Sequence, residues 1–374
     1  MKERLGNYIS EYSVRNKDLE DIPVFSVTNS QGFCQNYFGK EVASKDKSTY
    51  KIVPRGYFAY NPSRINVGSV DWQRNEEKVI VSPLYNVFSV SPELDQQYLY
   101  YYLKSDITLH FIKELASGSV RDNLKLSILS EFPINIIPLD EQKSIARNLD
   151  KVRKIISLRQ QELISLDDLI KARFVEMFGD LRINPYGFEI KPLKDTCTVI
   201  TGNTPSRSVP EYYGDKIEWI KTDNIVTGQP NPSQAVEYLS EEGMKVGKTV
   251  EKDAILMACI AGSLGSIGRV CITDRKVAFN QQINAVIPKE YDTHFLYVML
   301  QLSKEYLVEE INMALKGILS KSKLESKTFI VPPMEFQKRF ATFVSQVEKS
   351  KAVVQKALDE AQLLFDSLMQ QYFG

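Results

Sequence analysis

The sequence predicts an α+β fold in which two duplicated mixed domains are joined by two long helices, packed as an antiparallel coiled coil with pseudo-twofold symmetry. Three observations predict this fold. A segment of 42 residues occurs twice without a gap, at 138–179 and 333–374, with an offset of 195 residues. Both copies carry a hydrophobic period of 3.5 residues, which is typical of coiled coils. The segments 1–137 and 181–332 have similar lengths and the same order of strand-like and helix-like runs.

Each copy of the repeat is predicted to be one uninterrupted helix. Pro138 and Pro333 begin the copies and precede the predicted helices, where the missing N–H of proline does no harm. Asp140 is a candidate N-cap in the first copy, and Gly179 and Gly374 end the two copies as C′ residues. No proline or glycine lies between these ends. We therefore expect spacer helices over 138–180 and 333–374.

The predicted seam between the helices consists of positions spaced alternately by four and three residues. Its apolar members are Ile145, Leu149, Val152, Ile156, Leu163, Leu166 and Ile170 in the first copy, and Val344, Val347, Val354, Leu358, Phe365 and Leu368 in the second. Lys351 is the charged exception in the second copy. The shared phase indicates that the helices pack on each other, and a duplicated unit is expected to pair antiparallel, with one domain at each end of the rod. Two unrelated amphipathic helices in separate cores are the alternative.

The two remaining segments, 1–137 and 181–332, are predicted to be mixed domains. Runs rich in β-forming residues indicate strands, and longer amphipathic runs indicate helices. The predicted strands cover 51–60, 78–81 and 84–90 in the first segment, and 253–260 and 282–287 in the second. The predicted helices cover 95–115 and 292–315, and the tyrosines from Tyr98 to Tyr102 are expected to pack one helix face.

Composition excludes several classes of protein. Lys and Arg total 47 and Asp and Glu total 47, so any nucleic-acid binding must use local patches rather than bulk charge. No apolar run reaches the length of a membrane span, and the N-terminus does not resemble a signal peptide, which predicts a cytoplasmic protein. The four cysteines form no Cys-x-x-Cys pair and are expected to be reduced thiols. With two histidines, no metal site or Ser-His-Asp chemistry is expected.

Several short motifs resemble one known family. A strand followed by Pro138-Leu139-Asp140-Glu141-Gln142 and a long helix that ends in Phe178-Gly179 resembles the specificity subunit of type I restriction-modification enzymes. The second copy keeps only the proline and the glutamine, as Pro333 and Gln337. The segment 201–206, with Asn203 in place of a family glycine, and the segments 262–269 and 280–282 are also similar to family motifs.

The resemblance implies a division of labour between this chain and its partners. Residues 1–137 and 181–332 would be two target recognition domains, each reading one half of a bipartite, asymmetric DNA site, and the helices would set the gap. Two methyltransferase (modification) subunits would dock on the chain and bind S-adenosylmethionine, with restriction motor-nuclease subunits as optional further partners. The chain itself would hold no cofactor and have no catalytic activity.

The candidate DNA-contacting residues are polar and basic residues on predicted loops, the types that read base edges in the major groove or bind phosphates. In the first domain they are Tyr60, Asn61, Ser63, Arg64, Asn66, Ser119, Arg121 and Asn123. In the second domain they are Thr204, Ser206, Arg207, Lys221, Asn224, Ser263, Gln281, Lys316, Lys321 and Lys323. Ordinary solvated loops are the alternative interpretation of these residues.

Two functions other than that of a specificity subunit are considered. The main alternative is a duplicated DNA-binding or interaction scaffold that has no methyltransferase partner. A self-sufficient enzyme is disfavoured because the Asn/Asp-Pro-Pro-Tyr/Phe signature of adenine methyltransferases is absent. The segment 243–249 resembles a phosphate-binding loop but is one residue too short for that motif.

Overall fold

The computed structural model describes residues 2–35, 46–116, 123–309, 311 and 317–374. The chain forms two compact units. The first unit consists of Met1–Gln160 with Lys356–Gly374, and the second unit consists of Gln161–Gln355. Each long helix therefore contributes one part to the first unit and the other part to the second.

In the described residues before the central long helix, nine short strands come first, and three α-helices and a tenth strand follow them. The strands are β1 (Lys2–Arg4), β2 (Ile9–Glu11), β3 (Ser26–Thr28), β4 (Gly32–Cys34), β5 (Lys51–Pro54), β6 (Phe58–Tyr60), β7 (Val70–Trp72), β8 (Lys78–Val81), β9 (Asn86–Val90) and β10 (Pro133–Asn135). The helices are α1 (Gln96–Leu103), α2 (Asp106–Ala116), α3 (Leu126–Leu129) and the long α4 (Leu139–Phe178).

The remaining elements repeat this scheme with more strands. The strands are β11 (Glu189–Pro192), β12 (Cys197–Thr201), β13 (Tyr213–Gly214), β14 (Ile217–Ile220), β15 (Tyr238–Leu239), β16 (Thr249–Val250), β17 (Ile255–Ala258), β18 (Ile260–Ala261), β19 (Val270–Ile272), β20 (Val277–Phe279), β21 (Ile283–Pro288), β22 (Gly317–Ile318) and β23 (Thr328–Val331). The helices are α5 (Leu193–Thr196), α6 (Glu241–Val246), α7 (Thr293–Leu302), α8 (Lys304–Val308), α9 (Lys321–Ser326) and the long α10 (Met334–Phe373).

Most strand pairs in both units are antiparallel. In the first unit, β2, β9, β6 and β7 lie side by side in that order, and β1 pairs with β10, β3 with β4 and β5 with β8. In the second unit, β12, β21, β17 and β19 form one antiparallel sheet, and β13, β15, β14, β20 and β16 form a mixed sheet in which β14 and β20 are parallel. The strand β11 pairs with β23, as β1 pairs with β10 in the first unit.

Most of the predicted elements are confirmed, with three corrections. The helix predicted over 95–115 is divided, because α1 ends at Leu103 and α2 begins at Asp106. The helix predicted over 292–315 is divided in the same way into α7 and α8, and part of that range lies outside the described residues. Asp140 is not an N-cap, since α4 begins at Leu139. The Asp140 carboxylate instead lies in the first turn, where the helix dipole favours it.

A buried glutamine near the start of each long helix ties that helix to its unit. Gln142 is fully buried, and its amide nitrogen donates to the carbonyl oxygens of Ile137 at 2.8 Å and Glu93 at 2.9 Å. Its amide oxygen accepts the backbone N–H of Asp95 at 2.8 Å. A buried amide with all three bonds made is favourable, whereas a missing partner leaves backbone groups unsatisfied. The side chain therefore fixes the start of α4 against the loop that leads into α1.

Gln337 repeats these three bonds in the second unit. Its amide nitrogen donates to the carbonyls of Pro332 at 2.7 Å and Glu290 at 3.3 Å, and its oxygen accepts the N–H of Asp292 at 2.9 Å. Asp95 and Asp292 in turn cap α1 and α7 with their side chains. This arrangement explains why the second copy of the motif keeps the glutamine although its neighbours have changed.

In the first unit, the predicted seam residues bury their side chains against α1 as well as against each other. Ile145, Leu149, Val152 and Ile156 of α4 are at most 8% exposed, while Leu358, Phe365 and Leu368 of α10 are half-buried. The Phe365 ring lies 6.0 Å from that of Tyr101, and the Phe373 ring lies 5.0 Å from that of Tyr98. The predicted packing of the tyrosine run is thus confirmed, and the start of α4 shares a core with the end of α10.

In the second unit, the end of α4 shares a core with the start of α10. The rings of Phe174 and Phe178 lie 5.4 and 5.6 Å from Phe340, and the Phe178 ring lies 4.8 Å from Phe295 of α7. The predicted seam residues Leu163, Leu166, Ile170, Val344, Val347 and Val354 are buried or half-buried. The two helices therefore run in opposite directions, as the repeat predicts.

The charged seam position is compensated within the second unit. The Lys351 ammonium lies 2.8 Å from the Asp167 carboxylate of α4 and 3.0 Å from that of Glu348. Burial acts to lower the pKa of Lys351, but the hydrogen bonds with Asp167 and Glu348 outweigh it and raise the pKa. An ion pair across the helices thus replaces one apolar contact of the seam.

Replacing Gln337 by alanine should destabilise the protein by about 2–4 kcal/mol, because two buried carbonyls and one N–H lose their partner. Urea unfolding followed by circular dichroism measures this loss. Gln346→Ala is the matched control, since Gln346 lies exposed on the same helix and its replacement should change stability by less than about 0.5 kcal/mol. Equal unfolding midpoints for the two variants would contradict the structural role of Gln337.

Candidate nucleic-acid interface

In the first unit, predicted contact residues line a groove after β6. The side-chain oxygen of Asn61 accepts from the backbone N–H and the hydroxyl of Ser63, at 3.1 and 2.9 Å, which holds the turn. The Arg64 side chain is exposed, and Asn66 is half-buried. The groove has a volume of about 520 Å³, and Asn61 and Arg64 line it together with Asn29. Donors and acceptors therefore face the same open space.

Asn29 and Ser30, which line this groove, were not predicted from the sequence. They lie in the turn between β3 and β4, some thirty residues before Asn61. Their sequence context carries no motif, so only the fold brings them to the groove.

One predicted contact residue of the first unit belongs to the core instead. Tyr60 has no exposed surface, and its hydroxyl donates to the carbonyl oxygen of Leu124 at 3.0 Å. Burial raises the pKa of Tyr60 and keeps it protonated. The expectation that Tyr60 faces DNA is therefore corrected. The bond of the Tyr60 hydroxyl and the bond from the Leu124 N–H to the Pro62 carbonyl tie Leu124, which follows the exposed Asn123, to the turn after β6.

In the second unit, the loop 201–206 is held close to the end of β20. A Cβ atom on Gly202 would lie 2.2 Å from the Asn280 carbonyl oxygen and 2.5 Å from that of Phe279, so only glycine fits there. Asn203 donates to the Val246 carbonyl at 2.9 Å and accepts from the Lys248 N–H at 2.8 Å. The exposed Thr204 then hydrogen-bonds Gln281, so two predicted contact residues lie together.

Two predicted cations of the second unit lie over aromatic rings. The Arg207 guanidinium is 4.3 Å from the Tyr213 ring centroid and 5.3 Å from that of Trp219. The Lys221 ammonium is 5.1 Å from the Trp219 centroid. Such stacking restricts the cations to one region of the surface. Ser206, next to Arg207, is exposed and its hydroxyl lies 2.7 Å from that of Ser208.

Glu237, which the sequence did not single out, pairs with both cations. Its carboxylate accepts hydrogen bonds from Lys221 and Arg207. These hydrogen bonds hold the pKa of Glu237 below its usual value, and the bond from Lys221 has the largest effect. Partial burial acts in the other direction. Glu237 is distant in sequence from Arg207, and no motif marks it. The carboxylate adds an acceptor to a surface that otherwise offers donors.

The other predicted residues of the second unit have different surroundings. Asn224 is used locally, because its side-chain oxygen accepts the Lys221 N–H at 3.0 Å and its nitrogen donates to the Gln234 carbonyl at 3.0 Å. Ser263 is exposed, with its hydroxyl 3.0 Å from that of Ser266. Lys321 and Lys323 are exposed on α9. Ser119, Arg121 and Lys316 lie outside the described residues.

Within the described part of the chain, no group of three or more histidine, cysteine, aspartate or glutamate side chains is placed to hold a metal ion. Cys197, Cys259 and Cys271 are buried, and burial raises the pKa of each thiol to about 12.

None of the helices in the described ranges combines the length and the apolarity that crossing a membrane requires.

The structure defines a class of internally duplicated proteins, with two long antiparallel helices and a polar, cation-bearing surface in each unit. The family model of the type I restriction modification DNA specificity domain matches this chain twice, over residues 6–167 and 185–362. These matches cover most of the chain, which therefore belongs to this family.

Individual relatives agree with the family. The chain is 33% identical over 190 residues to the HindI type I restriction enzyme specificity subunit of Haemophilus influenzae, a match that covers 47% of this chain and 39% of the relative. It is 24% identical over 296 residues to the MjaIX specificity subunit of Methanocaldococcus jannaschii, covering 73% of this chain and 67% of the relative. The matched part is thus well under half of the Haemophilus protein.

Solved structures share the fold over the whole chain. The S subunit of a type I restriction-modification system from M. genitalium superposes with a TM-score of 0.60 at 16% identity, covering 100% of this chain and 96% of that one. A chain from a study of complex assembly and conformational transition of the type I R-M system gives a TM-score of 0.59 at 17% identity, with coverages of 100% and 97%. The predicted architecture of two related domains with long packed helices is thereby confirmed.

Replacing Gly202 by alanine should destabilise the second unit by about 1–3 kcal/mol, because the new methyl group overlaps backbone oxygens that cannot easily move. Gly262→Ala is the control, since a Cβ atom at Gly262 meets nothing within 4 Å. Urea unfolding of both full-length variants measures the difference. The close approach of the 201–206 loop would be wrong if Gly202→Ala unfolded at the same urea concentration as Gly262→Ala.

Proposed function

We propose that this chain is the sequence-specific DNA-binding subunit of a type I restriction-modification enzyme. It reads a bipartite, asymmetric site with one recognition surface in each unit. Two methyltransferase subunits dock on it and bind the S-adenosylmethionine, and restriction motor-nuclease subunits join the enzyme where they are present. The chain itself performs no catalysis and acts in the cytoplasm. The observation that carries this proposal is the pair of family matches, one at each copy of the duplicated domain.

The side chains of the two surfaces support an asymmetric site. The first unit offers Asn29, Asn61 and Arg64 around an open groove. The second unit offers Arg207 and Lys221 over aromatic rings, Glu237 paired with both of them, and Thr204 hydrogen-bonded to Gln281. Asn, Gln and Arg pair with purine edges, and a carboxylate accepts from the cytosine amino group. Because the two sets differ, the two units are expected to read different base sequences.

Methylation assays test the division of labour. The chain alone should transfer no methyl group from S-adenosylmethionine to genomic DNA, since it lacks the signature of an adenine methyltransferase. The same chain purified with its cognate methyltransferase subunit should methylate adenine within one bipartite sequence, as long-read sequencing of the methylated bases can show. Methylation by the isolated chain would contradict the proposal. DNA binding that never directs methylation would favour a scaffold without a methyltransferase partner.

Substitutions in one unit should alter one half of the methylated sequence. Arg64→Ala and Arg207→Ala should each reduce methylation by about 5–150-fold, which corresponds to about 1–3 kcal/mol for a base contact. A base contact should relax one position in a single half-site, whereas a phosphate contact should weaken all sequences alike. The control is Arg147→Ala, an exposed arginine on α4. An identical change of both half-sites by Arg64→Ala and Arg207→Ala would contradict separate recognition surfaces.

A further inference from the structure

We propose that Arg74, Lys104 and Arg153 of the first unit form a binding site for a backbone phosphate of DNA. The inference rests on the proposed function, and none of these residues belongs to the predicted contact set. They come from three elements: Arg74 follows β7, Lys104 ends α1, and Arg153 lies on α4.

The three cations converge on one tyrosine. Tyr100 is 3% exposed, and its ring centroid lies 4.9 Å from the Lys104 ammonium, 5.3 Å from the Arg74 guanidinium and 5.4 Å from that of Arg153. The Arg153 guanidinium also donates to the Tyr100 hydroxyl at 2.6 Å. Arg74 stacks on Trp72 at 4.3 Å. Aromatic faces therefore hold the cations close together against their mutual repulsion.

Carboxylates compensate this positive charge only in part. Asp71 is buried and pairs with Arg74 at 2.8 Å. Asp150 of α4 lies nearby, but its carboxylate accepts from the Tyr101 hydroxyl at 2.6 Å and the Gln97 amide at 2.7 Å. Among the described residues, no carboxylate forms an ion pair with Lys104 or Arg153. The surface of this cluster presents N–H donors with excess positive charge, which is the arrangement that binds phosphate oxygens.

The cluster is continuous with the groove of the first unit that Asn61 and Arg64 line. Lys104 donates to the carbonyl oxygen of Asn29 at 3.0 Å and to its side-chain oxygen at 3.3 Å. Asn29 lines the groove beside Asn61 and Arg64. A duplex whose base edges face the groove would bring its flanking backbone to the three cations. This continuity favours a DNA phosphate over a free anion or an acidic side chain of a partner protein.

The second unit does not repeat the cluster. The position that corresponds to Arg153, 195 residues later, is Glu348, which pairs with Lys351. The tyrosine that corresponds to Tyr100 in the second unit's domain helix is Tyr297, which is also buried. The tyrosine thus belongs to the duplicated core, whereas the guanidinium of Arg153 is replaced by a carboxylate in the second unit. A purely structural role in the shared scaffold would not require a cation at this position.

Lys104 gives the site a dependence on pH. Burial lowers the pKa of Lys104 to about 8; Asp71 opposes this lowering, while Arg153 and Arg74 reinforce it. Burial keeps Tyr100 neutral by raising its pKa, and both guanidinium groups stay charged. A bound phosphate favours the charged ammonium and raises the pKa of Lys104 again. The DNA affinity contributed by Lys104 is therefore complete well below pH 8 and declines as the pH rises through 8.

Salt-dependent binding of the full-length chain tests the site without knowledge of the target sequence. Binding to a labelled mixed-sequence duplex of about 30 base pairs is followed by fluorescence anisotropy over a range of KCl concentrations, since such binding depends on phosphate contacts. Lys104→Met and Arg153→Met should each weaken binding about three- to tenfold at ~100 mM salt and reduce the slope of log K against log salt by about 0.9.

Arg147→Met is the matched control, because Arg147 is an exposed arginine of the same helix outside the cluster. It should retain the affinity and the slope of the wild-type chain, and unfolding curves verify that all variants are folded. Equal binding by Arg153→Met and Arg147→Met would overturn the inference while leaving the proposed function intact. Loss of methyltransferase assembly without any loss of DNA binding would also overturn it, since a carboxylate of the partner would then be the ligand. Failure of the wild-type chain to bind any duplex would overturn the proposed function itself, and this inference with it.

Lys104→Arg provides an independent readout. The wild-type chain should bind DNA progressively more weakly between pH 7 and pH 9, whereas Lys104→Arg, whose charge does not titrate, should show a flatter profile at comparable affinity. A parallel decline in both proteins would overturn the assignment of Lys104 to the site.

Discussion

The duplicated fold depends on a buried primary amide at the start of each long helix. Gln142 and Gln337 each bind two carbonyls and one backbone N–H, and each fixes the first turns of a long helix against the cap of a domain helix. Because both copies make the same three bonds, the geometry at the start of the helix is constant. The loops beyond it have been free to diverge.

This separation of a constant framework from variable loops accounts for the two unlike surfaces. In the first unit, amide side chains and Arg64 line an open groove. In the second unit, Glu237 holds Arg207 and Lys221 over Trp219 and Tyr213. Neither surface requires a change in the helices that support it. An asymmetric pair of surfaces on an approximately symmetric framework fits a protein that reads two different half-sites.

Regular patterns made the framework predictable from sequence, whereas the sites depend on contacts between distant segments. The 3.5-residue period, the flanking prolines and the terminal glycines predicted both long helices. Tyr60 was misassigned because its hydroxyl meets the carbonyl of Leu124, which lies 64 residues away. Glu237 was missed because it lies 30 residues from Arg207 and 16 from Lys221. Asn224 carried a local signal that sequence reasoning overlooked, since asparagine commonly stabilises a turn through its side chain.

The two units differ in how the chain assembles them. The second unit is one continuous stretch, Gln161–Gln355, whereas the first combines Met1–Gln160 with Lys356–Gly374. The aromatic ring of Phe373 packs against Tyr98 in the core of the first unit, although Phe373 is synthesised only after the whole second unit. The first unit begins to emerge from the ribosome earlier but cannot complete its core until the second unit has been synthesised. Until then the tyrosines of α1 lack part of their packing, which leaves the first unit vulnerable to aggregation or proteolysis. The second unit does not share this period, because it is one continuous stretch.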